Sequence, residues 1–158
     1  MAARTARPAA AARRPPRTFY LIKRLEIETR LLLEDALRGC GLTPTHYLVL
    51  SLIDQHGEMS SAEIARRLRT APQSANELIA ALGRKGLIRR RAAPENRRVL
   101  RIGINPAGSE VLQQCDRIVD RLEADLLGAI RSSELATFRH MLTALADRMR
   151  EHRSAGSK

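Results

Sequence analysis

Apolar residues recur at helical spacing along most of this chain, and at a spacing of two over one short stretch. Residues 18–39 place Phe19, Ile22, Leu25, Leu32 and Ala36 on one stripe, widened by Leu31, Leu33 and Leu37. That predicts a long helix with contacts on two sides. Thr18 stands where a cap is needed, and Gly39 and Gly41 around Cys40 end the helix. Leu42-Thr43-Pro44 is a second start signal, a capping residue followed by proline at the first helical position. Tyr47, Leu48, Leu50, Ser51, Leu52 and Ile53 then run apolar nearly all round, predicting a buried helix that stops at Gly57. Asn105-Pro106 repeats the start signal. Residues 106–131 carry Val111, Leu112, Cys115, Ile118, Val119, Leu122, Leu126 and Ile130 as one stripe. Ser132 and Ser133 break that helix and cap a last one, which carries Leu135, Phe138, Met141, Leu142, Leu145 and Met149 to about residue 150. Residues 151–158 are polar and read as a frayed tail.

The stretch 60–104 differs. Ser60 and Glu63 form a capping box, in which each side chain satisfies an orphan backbone N–H of the other. Ile64, Ala65 and Leu68 follow on one face. A second short helix carries Ala75, Leu78, Ile79 and Leu82 and stops at Gly86. Past that glycine the period becomes two. Arg89, Arg90 and Arg91 precede the turn AAPENRR, and residues 99–104 alternate. Glu58-Met59 is short enough to add one strand beside this hairpin. A helix pair followed by a basic hairpin is a winged helix-turn-helix, which holds duplex DNA. The fold expected is therefore mainly α with a small β-wing. A winged helix-turn-helix module at 42–104 lies between dimerisation helices at 18–41 and 105–150. The long amphipathic helices expose more apolar surface than one small module covers, so a homodimer is expected.

Charge sharpens this picture. Of the formal net charge of +11, residues 1–17 supply +5, with five arginines and no acid. Residues 61–104 supply +8, from eleven basic residues against Glu63, Glu77 and Glu95. The remainder is slightly acidic, so the positive charge sits on a tail and on the reading module, as a polyanionic partner requires. The tail, rich in Arg, Ala and Pro, is expected to be disordered, or to act as a basic arm on DNA. No apolar run approaches the roughly 18 residues of a spanning helix, and no signal-peptide core is present. A cytoplasmic protein without membrane contact is expected. Aromatics make up only 3% and tryptophan is absent, so the core must be aliphatic.

From LTPTHYLVLSLI through IARRL and LGRKGLIRR to NRRVLRIGINPAG, the chain resembles the MarR family of bacterial transcription regulators. The resemblance spans roughly residues 18–150, and its specificity lies in all the pieces occurring in order at the right spacing. It implies a triangular homodimer in which the first and last helices interlock the subunits. The fourth helix would read the major groove, and a wing arginine would enter the minor groove. Three residues depart from the family pattern. Asn96 replaces the usual aspartate, which weakens the brace on the wing arginine. Ala71 replaces a capping serine, leaving Thr70 as the alternative cap. Glu77 faces outward where arginine or another polar residue is usual.

The face of the fourth helix opposite its apolar stripe shows Pro72, Gln73, Ser74, Asn76 and Glu77. Gln and Asn can bond adenine bidentately, and Glu can accept from cytosine N4. Glu77 could instead pair with Arg84 or Lys85. Arg84 and Arg90 are candidates for DNA contact. By the resemblance, Arg98 matches the minor-groove arginine, with Arg97 beside it. Arg66, Arg67, Arg69, Arg89 and Arg91 are phosphate clamps or plain surface charge. An aromatic or phenolic effector could be held by Arg24 and Arg30 of the first helix with His46 and Tyr47 of the second, although Tyr47 and His46 also fit ordinary packing roles. Cys40 and Cys115 lie far apart in sequence and outside metal-type spacing. Cys115, on an apolar stripe, reads as a small core residue, with a redox-responsive pair as the alternative. The four histidines have no ligand spacing, and neither a metal nor a cofactor is expected.

The reading is a dimeric, sequence-specific DNA-binding regulator, most simply a repressor, binding a pseudo-palindromic operator and modulated by a small molecule. A nucleoid-type protein without sequence preference is the alternative. The chain lacks a phosphate-cradling glycine loop, a G-x-S-x-G and an H-E-x-x-H, which argues against an enzyme.

Overall fold

The computed structural model describes residues 15–92 and 99–156. Among the described residues, six α-helices and a small antiparallel sheet follow one another as α1 (Thr18–Leu37), α2 (Pro44–His56), β1 (Met59–Ser60), α3 (Ser61–Leu68), α4 (Pro72–Arg84), β2 (Ile88–Ala92), β3 (Leu100–Ile104), α5 (Pro106–Leu127) and α6 (Ser132–Ala155). A 3-10 turn, Arg38–Cys40, extends α1 and gives way to Gly41 in the left-handed region, φ 67°. The sheet order is β1-β3-β2. Ile88 pairs with Ile104 and Ala92 with Leu100 on one side of β3, and Met59 pairs with Ile102 on the other.

Capping sets several of these boundaries. The Ser60 hydroxyl accepts from the Glu63 backbone N–H, and Glu63 Oε2 accepts from the Ser60 N–H at 2.7 Å, which is the expected box. A second box starts α2. Thr43 Oγ1 accepts from the His46 N–H, and His46 Nδ1 accepts from the Thr43 N–H at 3.3 Å. Asn105 Oδ1 caps α5 by accepting from the Gly108 N–H at 2.8 Å.

Three expected caps are corrected. Thr18 lies inside α1, because the Arg17 carbonyl already accepts from Tyr20 and Leu21. Ser132 and Ser133 lie inside α6, whose N-cap is Arg131 with no side-chain bond. Thr70 does not cap α4, because its N–H closes the end of α3 on the Ala65 carbonyl and Ala71 takes the N-cap position bare. Residues 151–155 continue α6 rather than fraying.

The core gathers Leu37, Leu42, Val49, Leu50, Ile53, Ile64, Ile79, Leu82, Leu112 and Cys115 with the sheet residues Met59, Ile88 and Ile102. It fills the space between α2, α3, α4, the sheet and the first half of α5. Fully burying each large aliphatic contributes about 1.5–3 kcal/mol. Helix α2 is less buried than expected. Val49, Leu50 and Ile53 face the core, while Leu48 is 53% exposed. Gly108 lets α5 start hard against the turn after α4. A Cβ there would overlap the Leu87 carbonyl oxygen and crowd Ile104 Cγ1 at 2.8 Å. Helix α6 contributes no buried residue.

Candidate nucleic-acid interface

Helix α4 presents its expected outer face. Ala75, Ile79 and Leu82 are buried, Leu78 is half-buried, and Pro72, Gln73, Asn76 and Glu77 are exposed. Ser74 is half-buried. Glu77 pairs with neither Arg84 nor Lys85; its Oε1 accepts from Gln73 Nε2 at 3.2 Å, one turn earlier. This bond fixes the Gln73 amide on the outer face and moderates the carboxylate. The bare N-cap and Pro72 at the first helical position leave the first-turn N–H groups directed outward, with the positive end of the helix dipole behind them.

The arginine run of β2 splits by the strand's alternation. Arg89 turns to one side, where Nε donates to Glu58 Oε1 at 3.2 Å and Nη1 donates to the Ile104 carbonyl at 2.6 Å. Arg91 joins Glu58 at 3.6 Å. Both are therefore engaged in bracing the sheet. Arg90 turns to the other side, toward α4, where Nη2 reaches the Ile79 carbonyl at 3.5 Å. It lines a groove of about 590 Å³ with Asn76, Ala80, Val99 and Leu100, and an adjoining recess with Arg84. Of the residues expected to contact DNA, the fold thus brings Asn76, Arg84 and Arg90 together between α4 and the hairpin. Arg97 and Arg98 lie outside the described residues.

The hairpin is tied to the helix pair by Arg101 of β3, whose Nη1 donates to Glu63 Oε2 at 2.9 Å. Hydrogen bonds from Ser60, then the charges of Arg101 and Arg66, hold the Glu63 carboxyl below its ordinary pKa. The box is local in sequence, whereas the arginine that shares its acid lies 38 positions away. Alternation along β3 was the available signal.

Arg24 and Arg30 lie on α1, and His46 and Tyr47 lie on α2. Among the described residues, no hydrogen bond or ion pair joins Arg24 or Arg30 to His46 or Tyr47. Arg30 pairs with Glu34 at 2.9 Å along α1. His46 serves the α2 box, and burial together with the Lys85 charge lowers its pKa. Tyr47 Oη donates to Asp116 Oδ1 at 2.8 Å, and burial with this bond pushes the phenol up to about 12. Nothing in the sequence marks Asp116, which lies on the polar edge of the α5 stripe.

Cys40 and Cys115, 75 positions apart, come together where the 3-10 turn meets α5. Cys115 is fully buried, and burial with a hydrogen bond to Cys40 pushes its thiol up to about 12. That environment suits a core thiol rather than a thiolate nucleophile. Among the described residues no group of His, Cys, Asp and Glu could hold a metal ion.

The sequence profile of the MarR family matches residues 42–100, the span from α2 to the start of β3. The segment from α2 to the start of β3 thus carries the sequence pattern of the MarR family. The HTH-type transcriptional repressor Rv2887 of Mycobacterium tuberculosis is 27% identical over 126 residues, 80% of this chain and 91% of that protein. Two solved structures share the fold. Apo MarR from E. coli superposes with a TM-score of 0.72 at 20% identity, covering 84% of this chain and 98% of its own. The S. aureus MepR-DNA complex superposes with a TM-score of 0.73 at 20% identity, covering 84% of this chain and 96% of its own. MarR family proteins are transcription regulators rather than enzymes.

Proposed function

We propose that the chain is a MarR family transcriptional repressor that binds a two-fold symmetric DNA operator as a homodimer. The observation that carries the reading is the groove between α4 and the hairpin. There Asn76 and Arg90 face one space, and the bare N-terminus of α4 stands ready for phosphate. A structural neighbour from S. aureus was solved as a DNA complex, which supports the same use here. In this reading α4 enters the major groove, Gln73 and Asn76 touch base edges, Pro72 and Ser74 pack at the helix entry, and Arg84 and Arg90 hold phosphates. Arg97 and Arg98 of the wing reach the minor groove.

Dimerisation is supported by the long helices. Phe19, Tyr20, Leu25 and Leu31 of α1 and Phe138, Met141 and Leu142 of α6 are all exposed, and α6 buries nothing. A helix with an apolar stripe and no packing partner gains little stability alone. A second copy covers both faces and sets the spacing of the two α4 helices. A small aromatic or phenolic effector near α1 and α2, where Arg24, Arg30, His46 and Tyr47 lie, would act by favouring a spacing that does not fit the operator. The protein would do this work in the cytoplasm, on the chromosome.

The test is selection from a random duplex library followed by affinity measurement at one fixed salt concentration. The expected result is enrichment of a two-fold symmetric site bound on the order of 10³-fold or more above random duplex. Uniform binding without enrichment would instead identify a nucleoid-type protein.

A further inference from the structure

Away from α4 and the hairpin, five arginines converge on one recess. Arg66, Arg67 and Arg69 come from the end of α3 and its C-cap, and Arg150 and Arg153 come from the end of α6. Together with Leu52 of α2 they line a cavity of about 780 Å³. Among the described residues, Arg150 is the one of the five with an ion pair, to Asp147 at 2.7 Å. Arg67 donates to His56 Nε2 at 3.1 Å, and Arg66 lies close enough to Glu63 to feel its charge.

Each arginine has an ordinary explanation by itself. A cation in the last turn of a helix complements the dipole. That explanation does not cover the convergence, because the dipole favours a cation at the C-terminal end of each helix taken alone and does not ask for two such ends to face each other. Nor does it cover Arg69. This residue is the one non-glycine at positive φ among the described residues, with φ 54° and ψ 40°. Glycine or asparagine takes that position at lower cost. The fold thus holds a guanidinium at a strained position in a place already crowded with like charge.

We propose that this recess is a binding site for a small polyanion carrying adjacent phosphate or carboxylate groups. The guanidinium fork matches two oxygens of such a group, and several forks around one space favour a ligand with more than one anionic group. A small molecule fits better than the DNA backbone, because the recess lies between two helix ends and draws on neither α4 nor the hairpin. An anion there neutralises the mutual repulsion of the arginines, so binding stabilises the folded chain.

The experiment uses the full chain without DNA, so its outcome is separable from that of the regulator reading. Inorganic pyrophosphate is titrated by calorimetry and by thermal shift, against sodium chloride at matched ionic strength. Two variants are compared, Arg69→Gly and the double variant Arg150→Gln, Arg153→Gln. Pyrophosphate is expected to raise the melting temperature of the parent by several degrees beyond the salt control. Each variant is expected to lose about tenfold or more in affinity. Without ligand, Arg69→Gly is expected to melt no lower than the parent, since glycine relieves the backbone, so its loss of affinity is not a folding defect. Equal affinity in parent and variants, or no effect beyond ionic strength, overturns the proposal. A fall in dimer mass in the double variant would make the recess a subunit contact. A loss of DNA affinity with pyrophosphate binding intact would make it a DNA contact. Either result also overturns the proposal.

Discussion

The phenol of Tyr47 donates to the Asp116 carboxylate at 2.8 Å, joining α2 to α5 across 69 positions of the chain. The bond links the reading module to the helix that leaves it for the far end of the molecule. It is half-buried and its acceptor is charged. Tyr47→Phe is therefore expected to destabilise the protein by about 1–2 kcal/mol. Asp116→Asn should cost less, and the double variant should cost less than the sum of the two. Urea denaturation of the four proteins measures the coupling. An unchanged midpoint for Tyr47→Phe would mean that water replaces the bond at no cost.

Gly108 makes a sharper steric test. The glycine of the INPAG stretch carries no unusual backbone angle, yet a Cβ there would overlap the Leu87 carbonyl oxygen. The obstacle is backbone, and the Asn105 N–H donates to that same carbonyl. Gly108→Ala is expected to cost about 1–3 kcal/mol or more, as overpacking does, against the small gain alanine normally brings inside a helix. Thermal denaturation decides it, and a rise in melting temperature would show that α5 shifts freely.

His46 gives a pH dependence of known sign. Burial first, then the Lys85 charge, lowers its folded pKa below the ordinary 6.5. Neutral Nδ1 accepts the Thr43 N–H, and protonation would remove that acceptor. As pH falls, the unfolded chain takes up the proton first. The contribution is thus fully present above 6.5 and is lost as pH drops from there through the folded pKa. Glutamine keeps the capping box without titrating. His46→Gln should therefore lose less stability than the parent between pH 7 and about 5, stopping short of the Glu63 range. Parallel stability curves for the two proteins would refute the assignment.

Legibility followed the range of the interactions. The periodicities of α1, α4 and α5, the Ser60–Glu63 box and the Asn105 cap were plain in the sequence, since each rests on neighbours within a few positions. The hairpin was legible because its period differs from that of the helices. Thr43-Pro-Thr-His46 contains the second box in full, but histidine is an unusual partner at its third position, where the box ordinarily has Glu or Gln. Other features depended on contacts the chain makes only after folding. Arg89 braces Glu58, Arg90 turns to α4, and Cys40 meets Cys115, none of which composition or spacing distinguishes. The three corrected caps share a cause: a hydroxyl lies near the helix start, but the backbone begins the helix one residue earlier or one later.

The apolar face of α1 predicts the state of assembly. Leu25 is 51% exposed and Leu32 41%, both on the stripe that faces away from the core. Leu25→Glu with Leu32→Glu places two charges on the proposed subunit contact without touching a buried residue. Light scattering after size exclusion should show the parent as a dimer and the variant shifted to monomer, with the helical signal of the module retained. A variant that stays dimeric would move the contact elsewhere, most simply to the face of α6.

The outer face of α4 carries the last prediction. Asn76 shares a groove with Arg90 and forms no side-chain hydrogen bond among the described residues, leaving its amide available to a base. Its replacement by alanine should weaken the selected operator by about 1–3 kcal/mol, roughly tenfold to a hundredfold, with little effect on random duplex. Glu77 works in the opposite sense. Its carboxylate holds Gln73 at 3.2 Å but repels the phosphates on either side of the groove. Glu77→Gln should tighten binding to any duplex while narrowing the ratio between operator and random sequence, because it removes repulsion and frees the Gln73 amide at the same time. Fluorescence anisotropy at a single salt concentration separates the two effects. Equal weakening of both duplexes by Asn76→Ala would reduce Asn76 to a backbone contact, and weaker binding by Glu77→Gln would mean that the carboxylate itself reads a base.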